Sequence, residues 1–180
     1  MAIKKAVNKA KIDPKAIRQT YLDKMEKSLE KEGVVFFDED MLNIDKDYLI
    51  LPAEITEVPS KDLGEYLNAF TQQKMYLRTL LGRVEVLMEE ARRNYCDVSD
   101  PIYRRYSLDK MSETAKDRLV NATESVKPLY HEFMDYKKKY SLVQTAIANI
   151  EDAIFMLSRE VTRRVGDFND ENRTYNTGTR

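Results

Sequence analysis

The stretch LYHEFMDYKKKYSLVQTAIANIEDAIFMLSREV, residues 129–161, decides the fold. Its apolar positions Leu129, Phe133, Tyr136, Tyr140, Val143, Ile147, Ile150, Ile154, Leu157 and Val161 recur at alternating steps of four and three residues. Such a stripe is the a/d seam of a supercoiled helix, and another helix must cover it. A second stretch, LGEYLNAFTQQKMYLRTLLGRVEVLMEEARRNY at 63–95, carries a matching seam: Leu63, Leu67, Phe70, Leu77, Leu81, Val84, Met88, Ala91 and Tyr95. Lys74 is its one polar seam position. A lysine there either fixes register or snorkels out beside the seam. Two stripes of nearly equal length predict an all-α fold whose core, residues 60–166, is a long antiparallel coiled-coil hairpin with shorter flanking helices.

The stripes are wider than a two-helix seam. Tyr66, Leu80 and Leu87 broaden the first, and Ala146, Ala153 and Met156 the second. A wide apolar face needs a third or fourth neighbour. Flanking helices within the chain can supply it, or further copies of the chain; a homo-oligomer is the expectation, with Leu67, Phe70, Leu77, Leu81, Val84, Ile147, Ile150, Ile154 and Leu157 as its core positions.

Working outward, Pro59 and Ser60 open the first long helix, with Asp62 and Glu65 at its positive end. It is expected to run to about Tyr95, roughly 54 Å at 1.5 Å per residue. Asp97 to Tyr106, containing Pro101, reads as the connection, and Ser107 as the cap of a helix over 108–126. That helix keeps the register Leu108, Ala115, Leu119, Ala122, Val126. Pro128 removes a backbone donor, so a separate long helix is predicted over 128–165, ended by Gly166, although a kinked continuous helix has the same pattern. Residues 167–180 are rich in Asn, Thr, Asp and Gly and read as a disordered tail. Toward the N-terminus, Asp13-Pro14 and Gly33 bracket a helix with Ile17, Tyr21, Met25 and Leu29 on one face. Residues 1–12 form a basic arm, and 34–59 an acidic segment. Its apolar pieces, Val34–Phe37 and Tyr48–Leu51, either pair as a small β hairpin or lie extended over the coil.

Composition narrows the function. Charged residues make up 34% of 180, as long solvated helices require, and only 5 Gly and 5 Pro leave little material for phosphate-cradling loops. Neither a Walker-type nor a dinucleotide-binding glycine motif occurs. The single Cys96 forms no intramolecular disulfide, makes no multi-cysteine metal site, and suits a reducing compartment. His131 stands alone, with Pro128 where a di-iron helix would carry glutamate. The acid pairs Glu89–Glu90 and Glu151–Asp152 are adjacent in sequence and read as solvated charges. No catalytic group, metal or cofactor is expected. No apolar run approaches the roughly 20 residues that span a bilayer, and lysines interrupt the N-terminus, so a soluble cytoplasmic protein is expected. The net charge of −1 hides a strong asymmetry: residues 1–18 hold six bases and one acid, residues 32–65 ten acids and two bases. The arm either meets phosphate or an acidic partner, or lies on the acidic segment of its own or a neighbouring subunit.

Binding chemistry is richest around the predicted connection. Arg92 and Arg93 precede it, and Tyr103, Arg104, Arg105 and Tyr106 follow the turn at its far end. Arginines meet phosphates bidentately and tyrosine faces stack on unpaired bases, the pairing that single-strand binding uses. The competing reading packs Tyr95, Tyr103 and Tyr106 at the hairpin tip, with the arginines complementing a helix terminus. Lys137–Lys139, flanked by the stripe residues Tyr136 and Tyr140, read as a solvated lysine face. Arg159, Arg163 and Arg164 within Ser158-Arg-Glu-Val-Thr-Arg-Arg164 form a further basic run, in which Arg159 and Arg163 at i,i+4 either clamp a phosphate or complement the helix C-terminus.

The order of elements across about 30–165, with Glu151-Asp-Ala-Ile154 and Ser158-Arg159 in the last helix, resembles the recombination mediator proteins of T4-like phages. That resemblance implies a ring-forming helical protein in the host cytoplasm. It further implies binding of single-stranded DNA and loading of a RecA-like recombinase onto DNA coated by single-strand-binding protein. The basic N-terminal arm departs from that family. A structural or adaptor protein, such as a virion assembly or scaffold subunit, is the alternative expectation and needs no nucleic acid.

Overall fold

The computed structural model describes residues 14–106 and 111–177. Four α-helices stand among them: α1 (Pro14–Lys31), α2 (Ser60–Tyr106), α3 (Glu113–Ala122) and α4 (Lys127–Thr177). The basic arm over 1–12, Ser107 and Leu108 lie outside the described residues. Residues up to Phe36 together with Val86–Phe133 form one compact unit; Phe37–Glu85 with the residues from Met134 onward form the other.

In the second unit α2 and α4 pack antiparallel. Ser60 faces Arg164, Leu63 packs with Leu157, and Lys74 meets Glu151, so numbers rise along one helix as they fall along the other. Leu63, Phe70, Ala153 and Leu157 make the core cluster; Leu77, Val84 and Ile147 are buried, and Leu67, Ile150 and Ile154 pack half-buried beside the cluster. Lys74 is resolved as a tie across the seam, its ammonium 2.9 Å from Glu151. Arg78 reaches the same carboxylate at 3.0 Å. Glu151 is therefore an ion-paired group and not the solvated charge the sequence suggests. Hydrogen bonding from Lys74, then the charges of Lys74 and Arg78, hold its carboxyl below the usual range.

The expected β hairpin does not form: no strand occurs among the described residues. Residues 34–59 instead take 3-10 turns at Glu39–Met41, Lys46–Leu49 and Ile55–Glu57. Each apolar piece leaves one side chain in water, Val35 80% and Ile50 72% exposed. Side chains of α2 accept from backbone donors of this segment. Phe37 N donates to Thr79 Oγ1 at 3.2 Å and Asn43 N to Gln72 Oε1 at 3.0 Å. Leu49, Leu51, Ile55 and Val58 then cover the core cluster, with Tyr48 set edge-on to Tyr66 at 4.9 Å.

In the first unit, α1 ends as its glycine predicts. Gly33 sits at φ 90°, its N–H donates to the Glu30 carbonyl, and the Val34 N–H donates to Leu29, both at 3.0 Å. These paired bonds are a Schellman cap, which requires the left-handed conformation glycine tolerates. The covered position is Leu22, however, while Met25 and Leu29 of the expected face are exposed. The α3 register is likewise displaced by one. Val120 and Lys116 are buried and Leu119 is exposed. Lys116 lies among the buried residues because its ammonium reaches Glu113 at 3.0 Å while its stem packs inward. Ser112 caps α3, accepting from the Ala115 N–H at 3.3 Å.

The three predicted helix limits move for reasons proline and glycine explain. α2 does not stop near Tyr95 but continues through Pro101 to Tyr106. Pro101 and Asp97 are both exposed, so water can satisfy the carbonyl that proline leaves without a donor. The break between α3 and α4 falls at Thr123, which places Pro128 in the first turn of α4, where its missing N–H costs nothing. Gly166 does not end α4, which runs on to Thr177; Gly33 alone has positive φ among the described residues.

Leu157, with no exposed surface, is the seam's most enclosed large side chain. Leu157→Ala is expected to lower unfolding free energy by ~2–5 kcal/mol in urea titrations, from lost burial plus the cavity. Val35→Ala, at an exposed position, is expected to change it by less than about 0.5 kcal/mol.

Candidate nucleic-acid interface

Because α2 is continuous to Tyr106, the first arginine–tyrosine group lies along one helix rather than around a turn. Arg93 and Arg104 are eleven residues apart, three helical turns, so they share a face roughly 16 Å in extent. Both are exposed, as is Arg105. Neither Arg93 nor Arg105 has an ion-pair partner among the described residues. Asp97 and Asp100 lie between Arg93 and Arg104 on the same exposed face, so the basic stripe is interrupted at its middle. Tyr106, half-buried, follows Arg105 in the last turn of α2.

Arg92, Tyr95 and Tyr103 have partners that build the unit. Arg92 Nε lies 3.0 Å from Glu89 Oε2, one turn earlier. The Tyr103 hydroxyl is hydrogen-bonded to Glu113 of α3. Tyr95 belongs to the packing of the unit: its ring stacks on Phe133 at 6.0 Å, and its hydroxyl donates to Asn121 Oδ1 at 2.8 Å. Desolvation raises the Tyr95 pKa above its usual value of 10. The packing reading therefore describes Tyr95 and Tyr103, while Arg93, Arg104 and Arg105 are exposed toward the end of α2, Arg104 with an interaction of its own within the chain.

The second candidate pair, Arg159 and Arg163, lies in the other unit, and there Arg163 is engaged by carboxylates of its own helix. Arg163 grips Glu160 through Nη2 at 2.8 Å and Nε at 2.9 Å, and reaches Asp167 at 2.6 Å. Arg159 is exposed beside Phe155, Thr162 and Gly166 in a shallow groove of α4. Of the lysine run, Lys138 lies 3.9 Å from Asp135 and Lys139 sits over the Tyr136 ring at 5.3 Å.

Arg164, which the sequence offers as one cation of a basic run, is a structural tie. Its Nε meets Glu160 at 2.7 Å, Nη1 donates to Ser60 Oγ at 3.1 Å, and Nη2 donates to the Thr56 carbonyl at 2.9 Å. One guanidinium thus joins α4, the start of α2 and the last 3-10 turn. The i,i+4 spacing of Glu160 and Arg164 was the signal available in the sequence. Glu160 is 8% exposed and shared by two arginines. Hydrogen bonds from Arg163 and then Arg164 pull its carboxyl from 4.5 down to about 2.

A depressed carboxyl pKa stabilises the fold above its ordinary value and loses that contribution as pH falls through the folded value. Glu160 should therefore contribute fully above pH 4.5 and progressively less down to about pH 2. Thermal melts of Glu160→Gln and the parent are expected to lie apart at neutral pH and to converge between those values. A constant gap would contradict the pairing. No protein-family model, curated protein or solved structure matches the chain.

Proposed function

We propose that this chain is a non-catalytic, self-associating helical protein that binds single-stranded DNA through the last turns of α2. The observation that carries the reading is the run Arg104-Arg105-Tyr106 at the exposed end of that helix, with Arg93 three turns earlier on the Arg104 face. The guanidinium groups take phosphates while the Tyr106 ring offers a base a stacking surface, a sequence-tolerant combination. Asp97 and Asp100 repel the strand between the two basic ends, so each copy binds weakly, and several copies on one strand hold it by avidity. Phosphate neutralisation releases counterions, which makes binding steeply salt-dependent.

The resemblance to recombination mediators extends the proposal. The strand held across several copies is handed to a RecA-like recombinase in the presence of single-strand-binding protein, within a phage-infected host cytoplasm. A second reading, an adaptor or assembly protein working through protein contacts alone, draws on a different observation. Arg92, Arg163 and Tyr103 already have intramolecular partners, and large apolar side chains stand exposed on α4.

Fluorescence anisotropy with a labelled single-stranded oligonucleotide separates the two. The proposal predicts salt-sensitive binding that prefers single strand over duplex. The double variant Arg104→Ala, Arg105→Ala should weaken it and flatten the log–log salt slope by about 1.4, at ~0.7 per lost phosphate contact on a single strand. Absence of binding at low salt, or unchanged affinity in the folded double variant, would favour the adaptor reading.

A further inference from the structure

A second four-three stripe runs along α4 within the unit formed by Phe37–Glu85 and Met134 onward, on the side turned away from the core. It comprises Ser141, Thr145, Ala148, Asp152, Phe155, Arg159, Thr162 and Gly166, all exposed. Core positions such as Ala153, Leu157 and Glu160 point elsewhere around the helix. Phe155 is 66% exposed and Met156, beside it, 43%. Burying apolar side chains is favourable, so leaving both partly in water forgoes stabilisation that a covering surface would supply.

The charges on this face are arranged symmetrically. Asp152 lies about one turn before Phe155, and Arg159 about one turn after it. Neither has an ion-pair partner among the described residues, although nearby Glu151, Glu160, Arg163 and Arg164 are all paired. In an antiparallel helix pair, residues whose numbers have a constant sum lie at the same level. With a two-fold axis passing between Phe155 and Met156, that sum sets Asp152 opposite the partner's Arg159 and Arg159 opposite the partner's Asp152. Phe155 then meets the partner's Phe155 on one flank and Met156 the partner's Met156 on the other. At the ends, Thr145 falls opposite the partner's Gly166, small residues that let the helices approach. A parallel arrangement in register would instead set like charges against each other.

We infer that the outer face of α4 is a self-complementary surface that pairs with a second copy of this chain across a two-fold axis at the Phe155–Met156 bond. An isologous contact of this kind uses one patch twice, so every unpaired charge on it must find its complement on the same patch. The surface is independent of the proposed nucleic-acid site, which belongs to the other unit.

Charge reversal tests it by sedimentation equilibrium of the full chain without nucleic acid, across micromolar concentrations. Asp152→Arg alone opposes four positive groups, and Arg159→Asp alone opposes four negative ones. Each purified variant is expected to sediment at half the parent's mass or less, with unchanged helicity by circular dichroism. Mixing the two in equal amounts should restore the parent mass, because every pair across the axis is then of opposite sign. A parent that is monomeric throughout, single variants that keep the parent's mass, or a mixture that fails to recover it would overturn the inference. DNA-binding loss in Arg104→Ala, Arg105→Ala is a separate readout, so failure of either proposal is recognisable without the other.

Discussion

The layer formed by Leu63 and Leu157, and the Glu160–Arg164 pair that closes it, is the constraint on which its unit depends. Apolar burial alone leaves two helices free to slide by a heptad, because every seam layer resembles the next. Two polar ties remove that freedom. Lys74 and Arg78 converge on Glu151 in the middle of the seam, and Arg164 links α4 to the residues that begin α2. Arg164 also collects the Ile55 and Thr56 carbonyls, so the acidic segment is fastened by the same group. Register, helix start and segment position share one electrostatic solution.

Much of this fold is legible in the sequence because helical seams obey a simple period. The four-three steps through Leu157 and Leu63 predict the antiparallel pairing of α2 and α4, and Gly33 predicts its own cap. What is not legible follows from competition between local rules and context. Pro101 reads as a breaker, but an exposed proline beside an exposed carbonyl costs less than the period suggests. Gly166 reads as a stop, yet glycine only permits a left-handed cap and does not impose one. The segment expected to form a hairpin at 34–51 instead lies against α2, where Thr79 and Gln72 accept from Phe37 and Asn43, contacts that depend on tertiary packing. The displaced register of α3 has the same origin, since Lys116 counts as polar in a pattern but packs as an aliphatic stem.

The candidate site is legible in kind and only partly in detail. Basic residues interleaved with tyrosines can be found by reading alone, but their partners cannot. Glu89 sits one turn from Arg92, a spacing that hints at pairing, whereas the Tyr103–Glu113 bond joins two helices and has no local signature. The structure thus shows that Arg92, Tyr95 and Tyr103 of one sequence cluster help build the unit, which the sequence alone does not reveal. Arg159 and Arg163, adjacent on one helix face, differ likewise: Arg163 is held by Glu160 and Asp167, while Arg159 has no ion-pair partner among the described residues.

The end of α2 is where the account makes its most specific claim, and photo-crosslinking reads it directly. A single strand carrying bromodeoxyuridine would be irradiated with the intact protein at low salt, and the crosslinked peptide mapped by mass spectrometry. Attachment at Tyr106, the aromatic side chain at the end of α2 beside Arg104 and Arg105, is the predicted result. Crosslinks confined to Tyr136 and Tyr140, or none at all, would contradict the account.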